Sequence, residues 1–283
     1  MVDAARSLKV GSIWDFKNRI GPFINSPSGI LEKALSYLDD GEEWLIEPCF
    51  TDHENPYMLK PSIRWGTKRG DFCHLNELFG PVLSVMCAED IYDAIDIVNS
   101  TGYGLTSGLE SLDLREQNIF KDRLKAGNLY INRVTTGAIV IRQPFGGMGK
   151  SAIGSGKKAG GFNYVSQFLD ISFSANKLKE SSDHKYVKRL EKLLEDENKY
   201  SHIIKESIQT VKNFAYWLEK EFFKEFDYAD IRGESNIIKY LSIEKMLFRI
   251  EEKDSLYEIL CTIISAKMSG SSLHISIPKK LIH

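Results

Sequence analysis

Apolar positions along the first half of the chain switch between helical and extended periods. From Gly29 to Asp40, Ile30, Leu31, Ala34, Leu35 and Leu38 recur at helical spacing, and Gly41 closes the segment. Trp44-Leu45-Ile46, Tyr57 to Trp65 and Pro81 to Cys87 read as strands. Asp90 is placed to cap a helix carrying Ile91, Ala94, Ile95 and Val98 on one face. Thr106 to Leu109 predicts a short strand, Leu112 to Lys125 a helix and Asn128 to Asn132 another strand. This alternation predicts a parallel sheet with helices packed on it. At the N-terminus, Ala4 to Val10 reads as the end of a helix stopped by Gly11.

Val134 to Gly161 is rich in Gly, Ser and Thr and predicts a long loop; such loops in compact domains are usually functional or disordered. Phe162 to Phe173 predicts a last strand or helix, and Ser174 to Ser182 a linker. Charged, amphipathic sequence then runs from Asp183 to about Tyr228 and predicts two or three helices. The heptad is not sustained, so a coiled coil is disfavoured. Met246 to Ile250, Ser255 to Met268 and Leu273 to Ile277 predict one βαβ unit. A single βαβ cannot enclose a core and must lean on something else.

Composition narrows the function class. The 283 residues are 42% hydrophobic and 27% charged, enough apolar sequence for a packed core. Thirty-seven basic and 39 acidic residues give a net charge of −2, which argues against a general nucleic-acid binder. No apolar run reaches the ~20 residues that span a bilayer. The first ten residues lack the apolar core of a secretory signal, so a cytoplasmic protein is expected. Four scattered cysteines form no CxxC pair, which disfavours a zinc ribbon or a disulfide framework.

Three motifs are decoys. Gly154-Ser155-Gly156-Lys157-Lys158-Ala159 fits a loose dinucleotide fingerprint, but a Gly-rich loop precedes it where a strand is needed. Gly149-Lys150-Ser151 ends like a phosphate-binding loop, yet Pro144 stands where the glycine is required. Cys73 and His74, read as neighbours in a strand, would point to opposite faces and could not pair as nucleophile and base. The six histidines have no metal-ligand spacing, so no metal site is expected.

Glu77-Leu78-Phe79-Gly80-Pro81-Val82 resembles a segment of the aldehyde dehydrogenase superfamily, and further segments follow in the family's order. They are Gly21-Pro22, Tyr103-Gly104-Leu105-Thr106, Ala126-Gly127-Asn128 with Asn132-Arg133, Gln143-Pro144-Phe145-Gly146-Gly147, and Ser151 to Gly154. Together they cover about residues 1 to 172. Within the superfamily, the chain is most similar to the L-glutamate γ-semialdehyde dehydrogenase unit of the bifunctional proline utilization A flavoproteins. The residues that carry this are Ser7 to Ser12, Trp44 to Pro48 and Thr136-Gly137-Ala138 ahead of Gln143. Ile231 to Asn236 and the final βαβ resemble a degenerate second aldehyde-dehydrogenase-like domain of long members.

The resemblance implies an α/β fold: part of a three-layer aldehyde-dehydrogenase-like catalytic domain over 1–173, a charged helical linker region over 174–230, and a partial second α/β unit over 231–283. It implies oxidation of L-glutamate 5-semialdehyde with NAD, FAD belonging only to the proline dehydrogenase part. In the family a cysteine thiolate attacks the aldehyde, hydride passes to NAD and water releases the acid. Glu77 would accept hydrogen bonds from the nicotinamide ribose hydroxyls, and Phe79 would pack beside the nicotinamide. Thr136, Gly137 and Ala138 would hold the substrate carboxylate, the last two through backbone N–H groups. Phe145 would wall the aliphatic stem. The catalytic cysteine, the hydrolytic glutamate, the oxyanion asparagine and the NAD-binding Rossmann domain of the family correspond to sequence upstream of Met1. The expectation is therefore a C-terminal portion, inactive alone and completed by an N-terminal partner. A non-catalytic assembly or lid module and a decayed remnant are the competing readings, and homo-oligomerisation is left open.

Overall fold

In the computed structural model, residues 1–52, 55–139, 142–154, 156–170, 179–195 and 199–281 are described. The chain divides into two compact units, Met1–Tyr164 and Val165–His283.

The first unit opens with helix α1 (Val2–Ser7), which ends where Leu8 turns extended. Gly11 is not its stop, as the sequence suggests. Val10 instead forms a parallel bridge with Ile20, and the Gly11 amide donates to the Ile20 carbonyl at 3.0 Å. Helix α2 (Gly29–Ser36) is shorter than its apolar period, because Tyr37 is already extended. Strands β1 (Glu43–Ile46) and β2 (Ser62–Trp65) pair antiparallel. After the one-turn helix α3 (Phe72–Leu75), β3 (Val82–Val85) pairs with β2 in parallel, giving the order β1-β2-β3.

Central strand β2 is buried through Ser62, Ile63 and Arg64. The Arg64 side chain is 0% exposed and ion-paired with Glu42, and it also donates to the Ala34 carbonyl at 2.7 Å. Thr67 Oγ1 donates to Glu42 at 2.5 Å, and the Asp39 amide also donates to Glu42, at 2.7 Å. Burial pushes the Glu42 carboxyl up; the Thr67 hydroxyl, Arg64 and the Asp39 amide outweigh it and hold the carboxyl below its ordinary value.

A second parallel pair follows. Helix α4 (Ile91–Ser100) is capped by Asp90, whose carboxylate accepts from the Asp93 amide at 2.9 Å. Short β4 (Tyr103–Gly104) leads into β5 (Thr106–Leu109). Helix α5 (Leu114–Arg123) is capped by Asp113, and β6 (Asn128–Ile131) runs parallel to β5. Ile95, Phe120, Leu124 and Ala126 form the core beneath this pair. Two-residue β7 (Met148–Gly149) closes antiparallel on β4. The parallel pairing matches the sequence reading, but the strands fall into separate ladders and β1 adds an antiparallel edge.

The second unit begins with a 3-10 turn at Val165–Phe168, where the sequence suggests a strand or longer helix through Phe173. Residues 171–178, most of the expected linker, lie outside the described residues. Helices α6 (Lys185–Leu193) and α7 (Ser201–Trp217) follow, and a π-turn spans Leu218–Phe222. The helical reading to Tyr228 fails at its end. Glu225–Asp227 is strand β8, antiparallel to β9 (Ile237–Lys239). Its sequence, Glu-Phe-Asp, carries no helical period. Strand β10 (Lys245–Arg249), helix α8 (Leu256–Met268) and β11 (Ser272–Ser276) form the expected parallel βαβ. Ile264 and Met268 of α8 pack with Val187, Leu190, Ile208, Val211 and Ala215, so the βαβ leans on α6 and α7.

Candidate active site

The segment before β3 presents the first two candidate residues. Asn76, itself extended, ends α3 and donates its side-chain amide to the Phe72 carbonyl at 2.9 Å. Glu77 is exposed. Phe79 adopts φ 47°, a left-handed conformation a bulky residue seldom takes, and its side chain is 88% exposed. Gly80 behind it passes so close to α2 that a Cβ would sit 2.9 Å from Leu31. The backbone is thus pinned by packing, and the strain holds an aromatic ring out in solvent. Such strain concentrates at ligand sites.

The other candidates lie on the loop after β6. Asn132 leaves the strand at φ 55°. Its amide both accepts from Ser111 N and donates to Ser111 O, each at 2.9 Å. Thr136, Gly137 and Ala138 are all exposed, and Gly137 has φ 83° with open space where a Cβ would point. With the Gln143 side-chain amide turned so that both its atoms find partners, its nitrogen donates to the Gly137 carbonyl at 3.0 Å and its oxygen accepts from Arg133. The Gln143 backbone N–H reaches the Ile139 carbonyl at 2.6 Å. Phe145 pairs with Ala159 through two bonds of 3.0 Å, and its ring is partly exposed. Asn128 Nδ2 donates to the Pro144 carbonyl at 2.9 Å. Lys158 Nζ contacts the Gly127 carbonyl and also donates to the Gly146 carbonyl at 2.8 Å.

Within the described part of this loop, Gln143 is bonded to Gly137 and Phe145 to Ala159, with Thr136 and Ala138 flanking Gly137. Among the described residues, no hydrogen bond or ring contact joins Glu77 or Phe79 to it. The sequence reading passed over Asn128, Asn132, Gln143 and Lys158, which hold the loop. Asn128 and Asn132 lie inside motifs already noticed, and Lys158 inside the dinucleotide-like decoy. The strand before that decoy, β7, is two residues long and ends four residues short of it, and no helix opens at it among the described residues.

Two other clusters differ in kind. A cavity of about 370 Å³ is lined by Gly66 to Arg69, Met86, Cys87, Asp93 and Ile97. It sits past the C-terminal ends of β2 and β3, whereas Phe79 precedes β3 at the other end. Asp39, Glu42 and Asp71 bring carboxylates within 4.8 Å of one another, but each accepts a backbone N–H. Cys73 and His74 lie on helix α3, not on a strand. They still do not pair: burial pushes the Cys73 thiol up, and His74 bonds to the Gly70 amide and the Ile97 carbonyl, each at 3.0 Å.

The profile of the Aldehyde dehydrogenase family matches residues 1–173. The chain belongs to that family. Among aldehyde dehydrogenases, it is 38% identical over 174 residues to a probable delta-1-pyrroline-5-carboxylate dehydrogenase of Schizosaccharomyces pombe, covering 58% of this chain and 31% of that one. It is 34% identical over 166 residues to the 1-pyrroline-5-carboxylate dehydrogenase of Bacillus subtilis, covering 58% and 32%. The structure of Proline Utilization A (PutA) from Corynebacterium freiburgense matches with TM-score 0.81 and 33% identity, over 97% of this chain and 27% of that one. A Thermus 1-pyrroline-5-carboxylate dehydrogenase with bound NAD matches with TM-score 0.52 and 31% identity, over 60% and 32%. The chain thus spans about a third of the length of the curated relatives it matches. The α/β architecture expected from the motifs stands. Among the described residues no helix is long and apolar enough to cross a membrane.

Proposed function

We propose that this aldehyde dehydrogenase chain supplies the substrate-carboxylate and nicotinamide-ribose contacts of an L-glutamate γ-semialdehyde (1-pyrroline-5-carboxylate) dehydrogenase. The observation that carries this is the loop after β6, in which Gln143 holds Gly137 and Ala159 holds Phe145. It holds Gly137 at positive φ with its face open, beside the turn that carries Phe145. Unobstructed backbone N–H groups at such a position can accept a carboxylate, and a neighbouring aromatic ring can cover a short aliphatic stem. Thr136 adds a hydroxyl donor.

The Phe79 ring, held out by strained backbone, fits a flat heteroaromatic face, and the exposed Glu77 carboxylate suits two vicinal hydroxyls. These residues would hold NAD, which supplies a hydride acceptor when bound. The names of the relatives and the NAD-bound Thermus structure support the same ligand and substrate class.

Aldehyde oxidation of this type needs a cysteine thiolate. Burial raises the thiols of Cys73 and Cys261. Cys49 donates to a backbone carbonyl at 3.3 Å, and Cys87 lines the cavity at the far end of the sheet. We infer that these 283 residues alone do not oxidise aldehydes and that activity requires the part of the relatives' length they do not span. Residues 1–173 would carry the site, and the regions 174–230 and 231–283, whose helices α6, α7 and α8 share one core, would form an accessory part.

A fusion tests this. The part of the Bacillus subtilis enzyme preceding its matched region is joined to this chain and assayed for NAD reduction with 1-pyrroline-5-carboxylate. The expected result is activity in the fusion and none in the chain alone. A folded, NAD-binding fusion without activity, or NAD reduction by the chain alone, overturns the proposal.

A further inference from the structure

Lys158 is the part of the dinucleotide-like decoy that the proposed site leaves unexplained. Its side chain runs inward, and its Nζ meets three oxygens: the carbonyls of Gly127 and Gly146, the latter at 2.8 Å, and Asn128 Oδ1 at 3.3 Å. An ammonium has three donors and no acceptor, so donors and oxygens match in number. All three acceptors are neutral. Two come from the start of β6, and the third comes from the turn that carries Phe145. The next residue, Ala159, exchanges both backbone hydrogen bonds with Phe145 at 3.0 Å. Asn128, held by Lys158, donates in turn to the Pro144 carbonyl at 2.9 Å and accepts from the Gly146 amide at 3.3 Å. The turn is gripped from both sides, and the Lys158 ammonium bonds both to Gly127 and Asn128 at the start of β6 and to Gly146 in the turn.

We propose that Lys158 is a positioning residue for the aldehyde pocket: its clasp on Gly127, Asn128 and Gly146 fixes the Pro144–Gly146 turn and hence the Phe145 ring. The functional half of this inference rests on Phe145 walling the substrate, as proposed above. The clasp itself does not.

The clasp has a titration signature. Burial alone lowers Lys158 from 10.5 to about 8, with no charged group among its causes; Lys157 is the adjacent charge on its own segment. Burial disfavours the charged form. A neutral amine still donates two bonds without that cost. Between about pH 8 and the ordinary lysine value, an opened clasp therefore binds more protons than a closed one, and the closed form gains as pH rises.

The test follows amide exchange of the whole chain at Phe145 and Ala159, corrected for base catalysis. In wild type, protection should rise from about pH 8 upward, by up to about tenfold per pH unit. Ile63 and Arg64 in β2 should show no such slope. Lys158→Met should lower protection at Phe145 and Ala159 and remove the slope. A flat wild-type profile removes the titration signature, and wild-type protection in Lys158→Met overturns the clasp. Should Lys158→Met fail to fold, Lys158→Arg takes its place: it does not titrate in this range and must give a flat profile, and a sloping one overturns the clasp. In the active fusion, Lys158→Met should raise KM for 1-pyrroline-5-carboxylate several-fold and spare kcat; an unchanged KM overturns the positioning role. A fusion already inactive with Lys158 in place refutes the proposed function instead, and exchange alone then decides the clasp.

Discussion

Phe79 and Glu42 depart from ordinary behaviour in opposite directions. Phe79 is exposed and strained, so it contributes nothing to the core and carries a conformational cost of order 1–3 kcal/mol. Phe79→Gly should therefore stabilise the chain by about 1 kcal/mol in urea unfolding. The same change should weaken NAD retention in the fusion. Equal or lower stability would show that the ring packs usefully here, against its 88% exposure. Glu42 is the reverse case, a buried charge fully engaged by Arg64, Thr67 and the Asp39 amide. Glu42→Ala strands the Arg64 guanidinium without its counter-ion and should cost about 3–5 kcal/mol. The folded Glu42 carboxyl titrates below its ordinary 4.5, so the unfolded chain binds the extra proton first as pH falls. Its contribution is complete above the ordinary carboxylate value and is lost as pH drops through the lower folded value. Acid unfolding of wild type against Glu42→Gln should show the wild-type advantage shrinking across that window.

Helix α8 is the element most directly tied to its sequence. Ser255 accepts from the Glu258 amide at 3.2 Å, and Glu258 returns a bond to the Ser255 amide at 2.9 Å. Ser255→Ala should cost about 1 kcal/mol, read by denaturant unfolding; no change would mean that packing by Ile264 and Met268 alone holds the helix start. Such short-range signals made α4, α5, α8 and strands β3, β5, β6, β10 and β11 legible, because a capping residue and a clean period lie within a few residues of each other. Glu225–Asp227 is not legible in the sequence because a three-residue hairpin strand has no period to detect, and its partner lies beyond a nine-residue loop gathered by Asp227. Cys73-His74 was misread because a single helical turn looks like a strand end. The site divides the same way. Glu77, Phe79, Gly137 and Phe145 stood out through motifs that resemble a family. Their supports, Gln143 to Gly137 and Lys158 to Gly127, join positions that only the folded loop brings together.

Across the first unit, the segment from Ile13 to Ile24 carries apolar side chains that its own fold leaves uncovered. Trp14 is 85% exposed, Phe16 94% and Ile24 96%. Scattered exposed apolar residues are ordinary, but three large ones nearly bare within eleven residues are not. The segment is nonetheless ordered by its own bonds: the Val10–Ile20 bridge, and Asn18 Nδ2 donating to the Ser12 carbonyl at 2.9 Å. Order without burial means that the shape is set before any cover arrives. Under the proposed function, the part of the relatives' length that the chain does not span supplies the cover. Without it, copies of the chain should meet through these side chains. Sedimentation of the purified chain should show association that grows with concentration, together with binding of an apolar dye. The double variant Trp14→Ser, Phe16→Ser should reduce both while leaving unfolding stability within about 0.5 kcal/mol, as expected for positions outside the core. In the fusion with the Bacillus subtilis part, the same variant should instead destabilise, since there the two rings would be buried. A variant that destabilises the isolated chain as much as the fusion would place these rings in the chain's own core and remove the case for an uncovered face.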